Sequence, residues 1–314
     1  MSIDPAPLDV VTGAFSYSGA AIARELQAAG RRVRTLTAHP DRAPADACIE
    51  VRPLEFTDPA GLTGSLRGAH TLYNTYWVRF AHGRTDHDTA VTNSRTLFQA
   101  AAAAGVQRVV HVSITHPSLH SPYPYFRGKA QVEQALDEIG VPYAIARPAI
   151  LFGGDGVLIN NIAWLLRHLP LFAVGGRGDY RIRGIHIDDL ARLCVSLGSR
   201  TDTVTVDAVG PQRLTFRELV HAVRAAVGSH TLIVPVPPAL LTALSYTLGL
   251  GLRDRLLTHD EFQAMAAGLA DSDAPPTGGI VLTDWLTEHR TELGRRYANE
   301  LNRHYRKQPA PTRR

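Results

Sequence analysis

The first 148 residues alternate short apolar runs with helical patterns, and that rhythm leaves few folds open. Strands are expected at 8–12, 32–37, 49–54, 71–76, 108–113 and 143–147. Helices are expected at 18–29, 86–104 and 125–139, closed by Gly30, Gly105 and Gly140, since glycine takes the left-handed conformation a helix end requires. Strands separated by whole helices need crossover connections and therefore build a parallel sheet. These strands are rich in Val and Ile rather than alternating, as expected when helices cover both faces. The fold predicted is α/β: a Rossmann-type doubly wound parallel sheet with a smaller, irregular C-terminal substrate lobe.

After Pro148 the rhythm breaks, and Gly153, Gly154, Gly156, Pro170, Gly175, Gly176 and Gly178 interrupt the chain. The expected division is 1–148 for the regular domain and 149–275 for a smaller lobe sharing part of its sheet. Residues 276–314 then supply a final helix and a basic tail. Trp285, His289, Leu293, Tyr297, Leu301 and Tyr305 fall at i, i+4 spacing and predict a helix over 283–305 that docks on the protein.

Composition removes several classes of function. The chain is 45% hydrophobic and 20% charged, which excludes intrinsic disorder. Its net charge is only +4, and part of the excess sits in Arg303, Arg306, Lys307, Arg313 and Arg314, so no nucleic-acid partner is expected. Cys48 and Cys194 lack paired spacing, and the 14 histidines lack an HExxH pattern, so neither a disulfide scaffold nor a metal site is expected. With so few cysteines and no secretory signal at the N-terminus, a cytoplasmic protein is expected. The most apolar stretch, 232–252, opens with Pro235, Pro237 and Pro238, and its Pro-free remainder is shorter than the roughly 20 residues of a membrane span. A buried helix is expected there rather than an integral span, with an interfacial helix as the alternative.

The first strand runs into Thr12-Gly13-Ala14-Phe15-Ser16-Tyr17-Ser18-Gly19 and then a helix. Gly13 permits a sharp turn, Gly19 lets helix and strand approach closely, and the helix start offers amides and a positive dipole end to a pyrophosphate. Ser16 stands where the middle glycine of such turns usually lies. Gly13, Phe15, Ser16, Tyr17 and Gly19 are therefore the candidate dinucleotide cradle. At the end of the second strand, Thr37 and Ala38 occupy the places that choose between NAD and NADP. No carboxylate appears before Asp41, whereas His39 and Arg42 are within reach of a 2′-phosphate. The cofactor expected is NAD(P), with a slight lean to NADP.

Tyr125 and Lys129 are one helical turn apart and share a face. A phenol with a pKa near 10 is a poor base at neutral pH until a nearby cation lowers that value. Of the 33 basic residues only Lys129 and Lys307 are lysine, so an amine here invites a chemical reason. A compact ammonium can bridge ribose hydroxyls, which a broad guanidinium does not. Ser113 closes the fifth strand, where open α/β sheets bind ligands, and Asn93 lies on the preceding helix. The aromatic run Tyr73, Tyr76, Trp77 and Phe80 after the fourth strand lines either the cleft or the core. Tyr123 is a rival phenol.

With these residues, over about 8–230, the chain resembles the extended or atypical short-chain dehydrogenases/reductases, of the epimerase/dehydratase and NmrA-like type. The carriers are the Thr12–Gly19 turn, Asn93, Ser113, Tyr125 with Lys129, Arg147-Pro148 through Gly153, and His186-Ile-Asp-Asp189. The short interval from Ser113 to Tyr125 is similar to the branch containing the accessory NADPH-binding subunit of respiratory complex I. The resemblance implies that Tyr125 exchanges a proton with a substrate oxygen. It implies that Lys129 tunes Tyr125 and binds the nicotinamide ribose, and that Ser113 donates to the substrate oxygen. It further implies that Asn93 supports a link near Lys129 and that Pro148 borders the nicotinamide. The function expected is an NAD(P)-dependent oxidoreductase or epimerase-type enzyme acting on a hydroxyl or carbonyl of a small molecule. The alternative is a protein that holds NAD(P)H without turnover. A monomer or homodimer is expected.

Overall fold

The structure is a computed structural model and describes residues 6–44, 48–80 and 86–299. In chain order the first elements are β1 (Leu8–Thr12), α1 (Tyr17–Ala28), β2 (Arg32–Thr37), β3 (Glu50–Pro53), α2 (Pro59–Leu66) and β4 (Ala69–Asn74). They continue with α3 (His87–Ala103), β5 (Arg108–Val112), α4 (Pro124–Asp137) and β6 (Tyr143–Pro148). Then follow β7 (Ile150–Phe152), α5 (Val157–His168), β8 (Leu171–Gly175), β9 (Arg181–His186), α6 (Ile187–Gly198) and β10 (Val204–Ala208). The last are β11 (Arg213–Thr215), α7 (Phe216–Ala226), β12 (Leu232–Val236), α8 (Pro238–Leu252), α9 (His259–Ala266) and α10 (Leu282–Glu288).

The chain forms two compact units. The first comprises Met1–Pro148 and Asp188–Ala208. It is built on a seven-stranded sheet in the order β10-β6-β5-β4-β1-β2-β3, with every pair parallel. This is the Rossmann-type sheet that the alternating rhythm implies. Its apolar core joins Val10 and Leu72 from the strands to Leu97, Phe98, Val132 and Leu136 from α3 and α4. The strand order reverses between β1 and β4, and ligands of open α/β sheets bind at the carboxyl ends on either side of such a point. The seventh strand comes from beyond residue 148: β10 pairs along β6 from Val204↔Ala144 to Ala208↔Pro148. Arg108, buried at the start of β5, fastens this return by donating to the carbonyls of Leu197 and Asp202.

The second unit, Ala149–Ile187 with Val209–Arg314, holds a small sheet β11-β9-β7 and a two-stranded pair β12-β8. Its core gathers Phe152, Ile159, Leu166, Leu219, Val223 and Trp285.

Two expectations are corrected here. The helix expected over 283–305 ends at Glu288 as α10. Side chains of α5 capture the carbonyls a longer helix would need: Arg167 donates to those of Arg290 and Leu293, and Asn160 to that of Arg296. Trp285 and Leu293 are buried all the same, so the stripe docks through turns. Leu301, Tyr305 and the basic tail lie outside the described residues. The apolar stretch at 232–252 is not a buried helix. It is the strand β12 followed by α8, and α8 buries only Leu241 and Gly249.

Candidate functional site

The turn after β1 is shaped by two glycines. Gly13 sits at φ +68°, a conformation unfavourable for residues with a Cβ. Its amide donates to the Leu36 carbonyl and its carbonyl accepts from the Ser16 amide and hydroxyl. A Cβ on Gly19 would lie 2.1 Å from the Gly13 carbonyl oxygen, so only glycine lets α1 start this close to the turn. Ser16 caps α1 by position, but its hydroxyl is spent on Gly13 rather than on the helix. The first amides of a helix have no intrahelical partner, and they face an anion along the dipole. Phe15 and Tyr17 flank Ser16 in this same turn, and Tyr17 opens α1.

The strand ends on either side of the reversal are stitched by buried polar groups. Thr12 Oγ1 donates to Asn74 Oδ1 and accepts the Thr75 and Tyr76 amides, while Thr75 Oγ1 donates to the Thr12 carbonyl. Asn74 Nδ2 pairs with His111 Nδ1 at 3.1 Å. His111 is fully buried on β5, and burial, aided by the charge of Lys129, drives its pKa well below the usual imidazole range. It is therefore neutral at neutral pH. Asn74 carried no motif signal; only the topology that pairs β1 with β4 brings it beside Thr12.

Lys129 is 3% exposed, and its Nζ donates to the Val112 carbonyl at 2.9 Å, one residue before Ser113. Burial pulls its pKa down to about 7, with Glu133 pulling the other way. The Trp77 ring covers the amine, with Nζ 4.7 Å from the ring centroid. Trp77 comes this near because residue 128 is glycine: a Cβ there would meet the indole at 2.8 Å. Tyr125 stands edge-on to Trp77 and to His87 at 5.7 and 5.8 Å, and those two rings stack on each other. Of the aromatic run, Trp77 thus lies against Lys129, whereas Tyr73 is buried in the sheet. Tyr123 holds the N-cap position of α4, just outside the helix.

Ser113 is 4% exposed, and its Oγ has no hydrogen-bond partner among the described residues. Asn93, on α3, donates to the Tyr76 hydroxyl at 2.8 Å rather than towards Lys129. Pro148 ends β6, is buried, and accepts the Thr115 amide. At the end of β2 the His39 amide donates to Thr37 Oγ1, and a 3-10 turn at Pro40–Arg42 follows. Arg42 Nη2 is buried without a partner among the described residues. A glycine cradle at a helix start, with a buried cationic nitrogen and a buried serine hydroxyl that have no partner among the described residues, fits a dinucleotide. Among the described residues no group of three His, Cys, Asp or Glu is placed to hold a metal ion, and no helix is long and apolar enough to cross a membrane.

Residues 13–162 match the family described as NAD(P)H-binding, and they contain most of the Rossmann-type sheet. The relatives include a complex I accessory subunit, and the solved structures share the fold. The mouse mitochondrial NADH dehydrogenase [ubiquinone] 1 alpha subcomplex subunit 9 is 29% identical over 156 residues, 48% of this chain and 40% of that protein. The uncharacterized protein y4nG of Sinorhizobium fredii is 26% identical over 266 residues, 77% of this chain. The chain spans 66% of that second relative, so it covers less than two thirds of either. Among solved structures, the triphenylmethane reductase of Citrobacter sp. complexed with NADP(H) superposes with a TM-score of 0.75 at 18% identity, covering 90% of this chain and 99% of that one. The Escherichia coli NADPH-dependent quinone oxidoreductase QOR2, complexed with NADPH, gives 0.74 at 21% identity with the same coverage. These likenesses establish the fold.

Proposed function

We propose that the protein is an NADPH-dependent reductase of a carbonyl group on a small molecule, with Tyr125 as proton donor. The observation that carries this reading is the Lys129 amine, buried and fixed on the Val112 carbonyl one residue before Ser113, one helical turn along α4 from Tyr125. The bound cofactor supplies the hydride. Ser113 Oγ, which has no partner among the described residues, donates to the carbonyl oxygen. Tyr125 delivers the proton to that same oxygen as the hydride reaches carbon, leaving an alcohol. The Lys129 ammonium stabilises the phenolate left behind. An amine with a pKa near 7 gains that charge readily when anionic phosphates arrive close by. Arg42 is the residue that supports NADP over NAD, because a buried guanidinium nitrogen without a partner among the described residues gains most from a 2′-phosphate.

Two observations favour a second reading, a protein that holds NADPH without turnover. Trp77 lies on the amine, and Asn93 is engaged by Tyr76. Tyr125→Phe decides between them. Under the first reading turnover of carbonyl substrates falls about 100-fold or more while calorimetric NADPH affinity is unchanged. Wild-type protein that binds NADPH tightly and reduces none of a broad panel of aldehydes, ketones and quinones sinks the first reading.

A further inference from the structure

The helix α8 contains no charged side chain in its fifteen residues, Pro238–Leu252. Such a helix is ordinarily buried all round. Here Leu240, Leu244, Tyr246 and Leu250 are exposed, Leu250 by 62% and Tyr246 by 69%. Ala239, Ala243, Thr247 and Gly251 are exposed beside them, so the face runs the full length of the helix. It is not a frayed segment. Leu241 packs on Gly175, where a Cβ would meet it at 2.8 Å. At the other end Gly249 lies against the Asp254 carbonyl, and Asn299 Nδ2 donates to the carbonyls of Leu252 and Arg253. The fold holds the helix by its inner side and presents the apolar side outward.

The two threonine hydroxyls on α8 are bonded within the helix. Thr242 Oγ1 donates to the Pro238 carbonyl and Thr247 Oγ1 to the Leu244 carbonyl. Hydroxyls satisfied within the helix lose little on entering an apolar medium. Charge is concentrated just past the C-terminus, where Arg253 and Arg255 are exposed. Asp254 between them is buried and accepts from the Tyr297 hydroxyl, so the charged side chains exposed at this end are the two arginines. An exposed apolar face with a tyrosine on it and arginines at its end can meet acyl chains and anionic headgroups together.

We propose that α8 docks on an anionic lipid surface, with Leu240, Leu244 and Leu250 sunk at the headgroup boundary and Arg253 and Arg255 among the phosphates. A second copy of the chain would bring the same cations and no anion along its own α8 to meet them. The proposal does not depend on the catalytic reading.

The test is co-sedimentation of the full chain with vesicles of phosphatidylcholine alone and of phosphatidylcholine mixed equally with phosphatidylglycerol. The wild type should pellet with the anionic vesicles and release as salt rises. Leu244→Glu with Leu250→Glu should cut partitioning ~100-fold, since both leucines would give up acyl contact. Arg253→Gln and Arg255→Gln should each cut it about five-fold on anionic vesicles only. NADPH affinity and thermal unfolding report that each variant is folded. Tyr246→Trp leaves the apolar face intact and should shift its emission to shorter wavelength on anionic vesicles. Wild-type protein that stays in the supernatant overturns the proposal. So does a dimer, seen by light scattering, that the paired Glu substitutions dissociate while vesicle binding is nil: the face would then belong to a second copy.

Discussion

Two corners of the same sheet end are built by opposite means. The turn after β1 works because side chains are missing: Gly13 takes a left-handed conformation and Gly19 leaves its carbonyl room. The corner at α4 works because side chains are present and dry: Trp77 seals Lys129 against the Val112 carbonyl, and burial alone brings the amine's pKa to about 7. The first corner presents backbone amides whose polarity no pH change alters. The second presents a titrating group whose state follows its solvation. A backbone cradle is thus specified by local sequence, while a tuned amine is specified by whatever covers it.

The sharpest way to break the first corner is Gly19→Ala. Its Cβ would lie 2.1 Å from the Gly13 oxygen, so either the turn or α1 must move. NADPH affinity measured by calorimetry should drop ~100-fold or more, with a fall in melting temperature. Gly64→Ala, on α2 with nothing within 4 Å, is the matched control. It should stabilise the protein by about 1 kcal/mol, the helix preference of alanine over glycine. Equal damage from both would mean that the close approach at Gly19 is unimportant.

The second corner is tested by pH. The folded-state pKa of Lys129, about 7, lies below the unfolded value of 10.5, so the unfolded chain binds the extra proton between them. That group's contribution to stability therefore rises with pH through this window and is least favourable below pH 7. Denaturant unfolding of Lys129→Met should lose this slope. A slope unchanged from wild type would show that the amine is solvated. A narrower effect concerns Arg42→Gln, which should reduce the preference for NADPH over NADH about ten-fold by removing one charge-assisted contact. A ratio that does not move would assign the 2′-phosphate to another group.

The sequence made the parallel sheet, the glycine turn and the Tyr125–Lys129 face legible because each depends on neighbours within a few residues. What escaped it depends on residues far apart. Thr12, Asn74 and His111 sit on three strands, and nothing local says that they bond. Trp77 reaches Lys129 only because Gly128 clears its path, a relation across the gap between β4 and α4. Hydropathy alone read 232–252 as interior; the outward turn of α8 follows from which side Leu241 and Gly249 dock, which no window of sequence contains.

The return of β10 to the edge of the first sheet has a consequence for synthesis. Until residue 208 has left the ribosome, β6 is a bare edge with its row of amides and carbonyls unmet. A nascent chain halted at Pro148 would offer that row to any other extended strand nearby. Completing the first unit thus has to wait until the opening stretch of the second, Ala149–Ile187, has been translated.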